Sequence, residues 1–255
     1  MSSYWINSIS DFPKFDKIDS NYKCDVCIIG GGLTGLTCGY YLSKLGLKVI
    51  IVEKDDLGQK ASGNTTAKIT YNHNLIYNYL INSYGENYAK AYLHANKESF
   101  VNIKNIIDSE NIDCDFEYQP NYIYTTKQDE LTKINAEIGA LNTLGAQAEF
   151  VTDFPLPFKI AGGLLTKNQA QFHPVKYMLG LASCISQNSS LIFCNSTATD
   201  LNKDKDGYTT LVNEYNIKSR NVIIATHYPF TKISRFLLCK NVSIYILCFR
   251  NRYSF

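Results

Sequence analysis

The stretch Lys23 to Asp55, KCDVCIIGGGLTGLTCGYYLSKLGLKVIIVEKD, limits this chain more than any other. Val26, Ile28 and Ile29 form a short apolar run, as a buried parallel strand requires. Gly30, Gly32 and Gly35 follow at G-x-G-x-x-G spacing. A helical pattern comes next, with Leu36, Tyr40 and Leu45 on one side and Gly46 as its stop. Val49 to Val52 make a second strand that ends at Glu53. The order strand, glycine turn, helix, strand, acid is that of a βαβ dinucleotide-binding unit. Gly30 permits the tight turn, Gly32 lets backbone approach a pyrophosphate, and Gly35 lets the helix lie close to the sheet. Free N–H groups at the helix start, with the positive end of the dipole behind them, suit phosphate. Glu53, 18 residues after Gly35, can accept from a ribose diol, and its charge disfavours the 2′-phosphate of NADP.

The chain has 255 residues, of which 45% are apolar, enough for a sizeable core and two lobes. The net charge of +2 hides an asymmetry. Residues 231–255 carry Lys232, Arg235, Lys240, Arg250 and Arg252 and no acid; without them the balance is 20 basic to 23 acidic. Nothing in this distribution suggests a nucleic-acid groove. The polar N-terminus, with Asp11, Asp16 and Asp19, does not read as a secretory signal, and no apolar run is of bilayer length. A cytoplasmic protein is expected.

Eight cysteines raise the question of a metal or disulfide. Cys24 and Cys27 form a C-x-x-C, but on a regular strand i and i+3 point to opposite faces. Buried structural thiols and no metal site are expected.

After Glu53 the segment Gly58 to His73, GQKASGNTTAKITYNH, is rich in small and hydroxyl residues. Ser62, Thr65 and Thr66 can donate to phosphate oxygens, and Gly63 allows close backbone approach. Alone, this is equally an ordinary polar loop.

Three segments together resemble the FAD-dependent oxidoreductases of the glycine oxidase and D-amino-acid oxidase type, and within it the bacterial branch often fused to a Rieske domain. They are DVCIIGGGLTGLTCGYYLSKLG with VIIVEK, SGNTTAKIT with His73, and QAQFHP with ATHYPF. The resemblance covers residues 5–230. It implies an α/β fold, with a Rossmann-like FAD-binding lobe and an incomplete α+β substrate lobe. It also implies FAD as cofactor and a small amine or amino acid as substrate, oxidised by hydride transfer to flavin. Cofactor contacts are implied at Gly30, Gly32, Leu33, Thr34, Gly35, Glu53, Lys54, Ser62, Asn64, Thr65 and Thr66, and at Ala198, Ala225 and Thr226. No pattern marks a general base. Lys68, His73 and His173 are weak catalytic candidates, and each can equally be a solvated or capping side chain. His227, where the wider family commonly has glycine, can face the site or cap a strand end.

The domain plan that follows has a leader at 1–23, an FAD-binding domain from 24–75 and 172–230, and a partial substrate domain at 76–171. The leader, with Trp5, reads as an irregular segment on the main body or a disordered tail. Residues 74–111 read as helical, with Tyr88, Tyr92, Ala95, Ser99, Ile103 and Ile106 on the inner face. Phe116 to Tyr124 reads as a strand pair about Pro120 and Asn121. Leu131 to Leu144 reads as a helix stopped by Gly145, and further strands are expected at 150–152, 160–165, 191–194 and 221–225. Pro174 suits the first turn of another helix. A short meander is expected over 207–220. After Phe230 the family resemblance fades into a basic, apolar stretch, read as an aberrant tail or a short interaction segment. No C-x-H and C-x-x-H pairs for a Rieske cluster are present. Three functions stay open: an active flavin oxidoreductase, a truncated inactive product that keeps dinucleotide affinity, and an NAD-binding protein without flavin.

Overall fold

The computed structural model describes residues 3–153 and 156–227. Pro155, Cys239, Cys248 and the tail at 231–255 lie outside the described residues. The chain divides into two compact units: Met1–Thr65 with Pro174–Phe255, as far as described, and Thr66–His173.

In its first pass the chain builds α1 (Tyr4–Asn7), β1 (Tyr22–Ile29), α2 (Leu33–Lys44) and β2 (Val49–Val52). A 3₁₀ turn at Ser62–Asn64 ends this part. The second unit follows, with β3 (Lys68–Ile69), α3 (Tyr77–Tyr84), α4 (Glu86–Ser109) and β4 (Glu117–Thr125). It continues through α5 (Leu131–Thr143), β5 (Ala148–Val151) and β6 (Gly162–Gln171). The return to the first unit supplies α6 (Pro174–Gln187), β7 (Leu191–Phe193), β8 (Ala198–Asp204), β9 (Gly207–Val212) and β10 (Tyr215–Ile224).

The first unit holds a six-stranded sheet of order β7-β2-β1-β10-β9-β8. The strands β7, β2, β1 and β10 run parallel; β9 and β8 are antiparallel. Central strands with both faces covered are continuous apolar runs, and β2 is buried at all four positions. Gly39 of α2 lies against Ile51 of β2 and Ile185 of α6, so both helices cover that face. Cys27, Ile29, Ile50, Val52, Phe193, Val212 and Ile217 fill the other core, with Ile18 of the leader. The expected antiparallel meander is formed by β9 and the start of β10, and its second limb and the strand expected at 221–225 are one element. The start of β10 pairs antiparallel with β9, and its length pairs parallel with β1.

Cys24 and Cys27 do not diverge as a regular strand predicts. Both pack in the same core cluster. The successive amides of Asp25 and Val26 share the Lys48 carbonyl, at 2.9 and 3.3 Å, so regular alternation does not carry across this step. Burial pushes both thiols up to about 12, and that of Cys194 likewise. A thiol so protonated is a poor nucleophile. Native protein at pH 8 should leave Cys24, Cys27 and Cys194 unlabelled by iodoacetamide, and denatured protein should label all three. Peptide mapping by mass spectrometry checks this, and fast native labelling of any of them contradicts it.

In the second unit β6 pairs antiparallel with β3, β4 and β5. Phe116 to Tyr124 is no hairpin. Pro120 and Asn121 sit at a register shift inside the single strand β4, a place that tolerates a residue without an N–H. The helical stretch 74–111 is broken by Gly85 (φ 86°) into α3 and α4. Its inner face is only partly the expected one: Ile106 is buried and Tyr92 packs against the core as expected, but Ala89 and Leu93 are buried one position on, and Tyr88 is 56% exposed. Tyrosine suits either place, because its ring packs and its hydroxyl solvates, so the register could not be fixed from Tyr88.

A fully buried carboxylate organises this unit. Glu137 projects from α5 and accepts the amides of Tyr77 (2.8 Å) and Asn78 (2.9 Å) at the start of α3. The N-cap residue Ile76 has no side-chain acceptor, so Glu137 takes that role from a distant element and places negative charge at the positive helix end. Tyr77, itself fully buried, donates its hydroxyl to the Tyr71 carbonyl. Replacing Glu137→Ala should cost about 2–5 kcal/mol by orphaning the buried Tyr77 amide and the half-buried Asn78 amide, and Glu137→Gln distinctly less. Urea unfolding measures the difference; equal losses would show that packing, not hydrogen bonding, is what Glu137 supplies.

Candidate cofactor site

The site grows from the end of β1. Gly30 has φ +112°, and a Cβ there would lie 2.7 Å from the Ala225 carbonyl oxygen. The Ala225 amide in turn donates to the Ile29 carbonyl at 2.8 Å. The turn and the strand end after β10 therefore fit together only with glycine at 30. At Gly35 a Cβ would fall 1.9 Å from the Gly30 carbonyl oxygen, which sets how closely α2 approaches the turn. Gly32 is the N-cap residue of α2 and has no side chain to offer the first-turn amides. The first intrahelical bond runs from the Leu36 amide to the Gly32 carbonyl at 3.0 Å, so the amides of Leu33 to Gly35 look outward for acceptors.

One of them finds Ser62. Its Oγ accepts the Leu33 amide at 3.1 Å, and a Cβ on Gly32 would meet the same oxygen at 2.8 Å. The SGNTT loop thus lies directly on the helix start. Gly63 makes this possible, since a Cβ there would lie 1.8 Å from the Gly58 carbonyl oxygen. Asn64 turns away, donating its side-chain amide to the Lys60 carbonyl at 2.7 Å.

Glu53 follows β2. Its Oε2 accepts the Gly31 amide at 2.7 Å and its Oε1 the Asp55 amide at 3.1 Å. Its own backbone bonds Phe193 and Ser196, both at 2.8 Å. The carboxylate is held at a fixed place beside the glycine turn, and each oxygen keeps a lone pair for a diol. Gly31 is a residue that spacing alone did not single out: a Cβ there would sit 2.6 Å from Leu57 Cδ2 and 2.9 Å from Glu53 Cβ. The unbroken run Gly30 to Gly32 was the available signal. Lys54 is exposed. Ala198 heads β8, buried beside Phe193 and Val212, and Thr226 follows Ala225.

Of the remaining candidates, Lys68, His73 and His173 belong to the second unit, which begins at Thr66, and His227 to the first. Lys68 is exposed on β3. His73 is exposed, with Nε2 3.3 Å from Asn96 Oδ1. His173 is buried, and its backbone amide donates to the Cys114 carbonyl at 2.6 Å. His227 is exposed after β10. Among the described residues no group of three or more His, Cys, Asp or Glu side chains is placed to hold a metal. Also among them, no helix is long and apolar enough to cross a membrane.

A glycine cradle that any Cβ would fill, outward amides at a helix start, a hydroxyl loop on them and an acid after the second strand fit an adenine dinucleotide. Comparison with known proteins agrees. The model of the FAD dependent oxidoreductases, DAO, matches residues 25–246, past Phe230, where the resemblance read from the sequence had faded. YhfW of Bacillus subtilis (strain 168), named as a Rieske 2Fe-2S iron-sulfur protein, is 36% identical over 89% of this chain and 45% of its own length. Gamma-glutamylputrescine oxidoreductase of Escherichia coli (strain K12) is 26% identical over 78% of this chain and 48% of its own. The chain therefore spans about half the length of these curated relatives. The crystal structure of glycine oxidase from Geobacillus kaustophilus superposes with a TM-score of 0.65 at 17% identity, covering 81% of this chain and 56% of that one. With a mixed α/β fold built on a parallel sheet and FAD as the family cofactor, the chain belongs to the DAO family of FAD-dependent oxidoreductases.

Proposed function

We propose that this chain is an FAD-dependent oxidoreductase that acts on a small amine or amino acid and binds the dinucleotide about the start of α2. The observation that carries the reading is the joint placement of Gly30, Gly32, Gly35, Ser62 and Glu53 about the start of α2. The chemistry supplied by bound FAD is acceptance of a hydride from the carbon that bears nitrogen, after which the imine hydrolyses.

The chain's own residues do the holding. The outward amides of α2 take the pyrophosphate, and the Ser62 hydroxyl, whose oxygen already accepts from Leu33, has its proton to give to a phosphate oxygen. Glu53 takes the ribose diol and rejects a 2′-phosphate by charge. Thr65 extends the donor set, and Ala198 offers backbone to the adenine. The substrate class comes from the family and from relatives named for amine and amino-acid oxidation. Lys68, His73 and His173 are proposed only as catalytic candidates.

Two measurements test this. Calorimetry should show binding of FAD and ADP and rejection of NADP, and Glu53→Ala should weaken FAD binding by roughly 1–3 kcal/mol, the value of a charge-assisted hydrogen-bond pair. A preference for NADP would remove the role given to Glu53. Separately, protein reconstituted with FAD should lose its oxidised flavin band under anaerobic conditions with one of glycine, sarcosine, a D-amino acid or a polyamine conjugate. Bleaching by 2-hydroxy acids in place of amines would overturn the substrate class.

A further inference from the structure

The leader is placed where it can act on the cofactor loop. Ser3 caps α1, accepting the Trp5 amide at 3.2 Å, and donates its hydroxyl to the Gly63 carbonyl. The Trp5 indole donates Nε1–H to the Thr65 carbonyl at 2.9 Å. A Cβ on Gly63 would come 3.1 Å from Ile6 Cδ1, so the third residue of the helix rests on the loop glycine. Two backbone carbonyls of SGNTT thus take their donors from residues some 60 positions earlier. The same loop reaches the Leu33 amide through Ser62. Further along, the leader is fixed again: Asp16 accepts the Cys194 amide at 3.1 Å, and the Ile18 amide donates to Ser196 Oγ at 3.0 Å. A short helix of four residues has no stability of its own, so α1 exists through these contacts.

We propose that α1 is a clasp for the cofactor loop, and that Trp5 and Ser3 are positioning residues that hold Ser62 to Thr65 in the phosphate-binding shape before FAD arrives. The inference rests on the cofactor reading above. Its physical basis is preorganisation. A loop that must be ordered by its ligand subtracts the ordering entropy from the affinity, whereas one already fixed does not. Trp5 makes its bond with the ring N–H, so phenylalanine keeps most of the packing and removes only the donor. Trp5 is also the one tryptophan of the chain, so tryptophan emission comes from this residue.

The experiment compares the wild-type chain, Trp5→Phe and Ser3→Ala. ADP and FAD affinities are measured by calorimetry, and the thermal midpoint is measured without nucleotide. Each substitution should weaken ADP and FAD binding about three- to ten-fold, the effect of one net hydrogen bond, while the nucleotide-free midpoint stays near that of wild type. ADP, which does not absorb tryptophan emission, should shift the emission of the wild type excited at 295 nm. Wild-type affinity in both variants would overturn the clasp and leave the cofactor reading standing. A fall in midpoint with unchanged affinity would make the leader a structural brace only. Absence of ADP and FAD binding in the wild type would overturn the cofactor reading and the clasp with it. Should Trp5→Phe not fold, Ser3→Ala decides, because it removes the bond to Gly63, and with it the cap on the Trp5 amide, while the indole stays in place.

Discussion

Carbonyl oxygens of two glycines occupy the space where a side chain would begin on two others. The Gly30 oxygen excludes a Cβ at 35, and the Gly58 oxygen excludes one at 63. Everything else in the cofactor region depends on these approaches. The first sets α2 so close to β1 that its first-turn amides open beside the strand end. The second folds the SGNTT loop tightly enough for Ser62 to reach one of those amides. Both are steric exclusions, so they act at any pH or ionic strength, unlike the charge effects layered on them. Glu53 adds a charge where the geometry is already fixed, and its bonds to Gly31 and Asp55 keep that charge in one place.

The βαβ core was legible because strand period, glycine spacing and terminal acid agreed on one answer. Each observed boundary there falls close to the one the residues suggest, with α2 stopping at Lys44 before Gly46 (φ +78°). Other elements were read with the right type and the wrong join. Pro120 next to Asn121 has the composition of a turn, and only the β6 partner shows that β4 continues through it. The meander and the last parallel strand have different hydrophobic patterns because β10 pairs with different neighbours along its length, so one strand resembled two. The α3–α4 break required knowing that Gly85 adopts a positive φ. The tyrosines misled because an amphipathic ring does not report which side of a helix is buried.

The site was readable where chemistry and backbone shape coincide, as at Gly30, Gly32, Gly35 and Glu53. Where a role depends on contacts made across many residues it was not. Nothing near Glu137 in sequence points to the amides of Tyr77 and Asn78. Trp5 and Ser3 likewise give no local hint of Thr65 and Gly63. Lone histidines were the least informative of all: His73 meets Asn96, and His173 is fixed through its backbone amide to Cys114, contacts that spacing does not encode.

The pairing of β1 with β10 joins Tyr22 to Ile217 and continues to Ile29 and Ile224. During synthesis, β1, α2 and β2 leave the ribosome long before their remaining neighbour exists. At 5–20 residues per second the wait is roughly 10–40 s. For that interval one edge of β1, apolar from Val26 onward, has no partner strand, and an unpaired apolar edge is a template for wrong association. The whole second unit is made in between. Its core of Tyr77, Leu93, Leu141 and Leu164 is contributed entirely by residues of Thr66–His173, so it can settle while the first sheet waits. A nascent chain of this design thus carries an unpaired strand edge through a definite stage, ending when β10 emerges and pairs with β1.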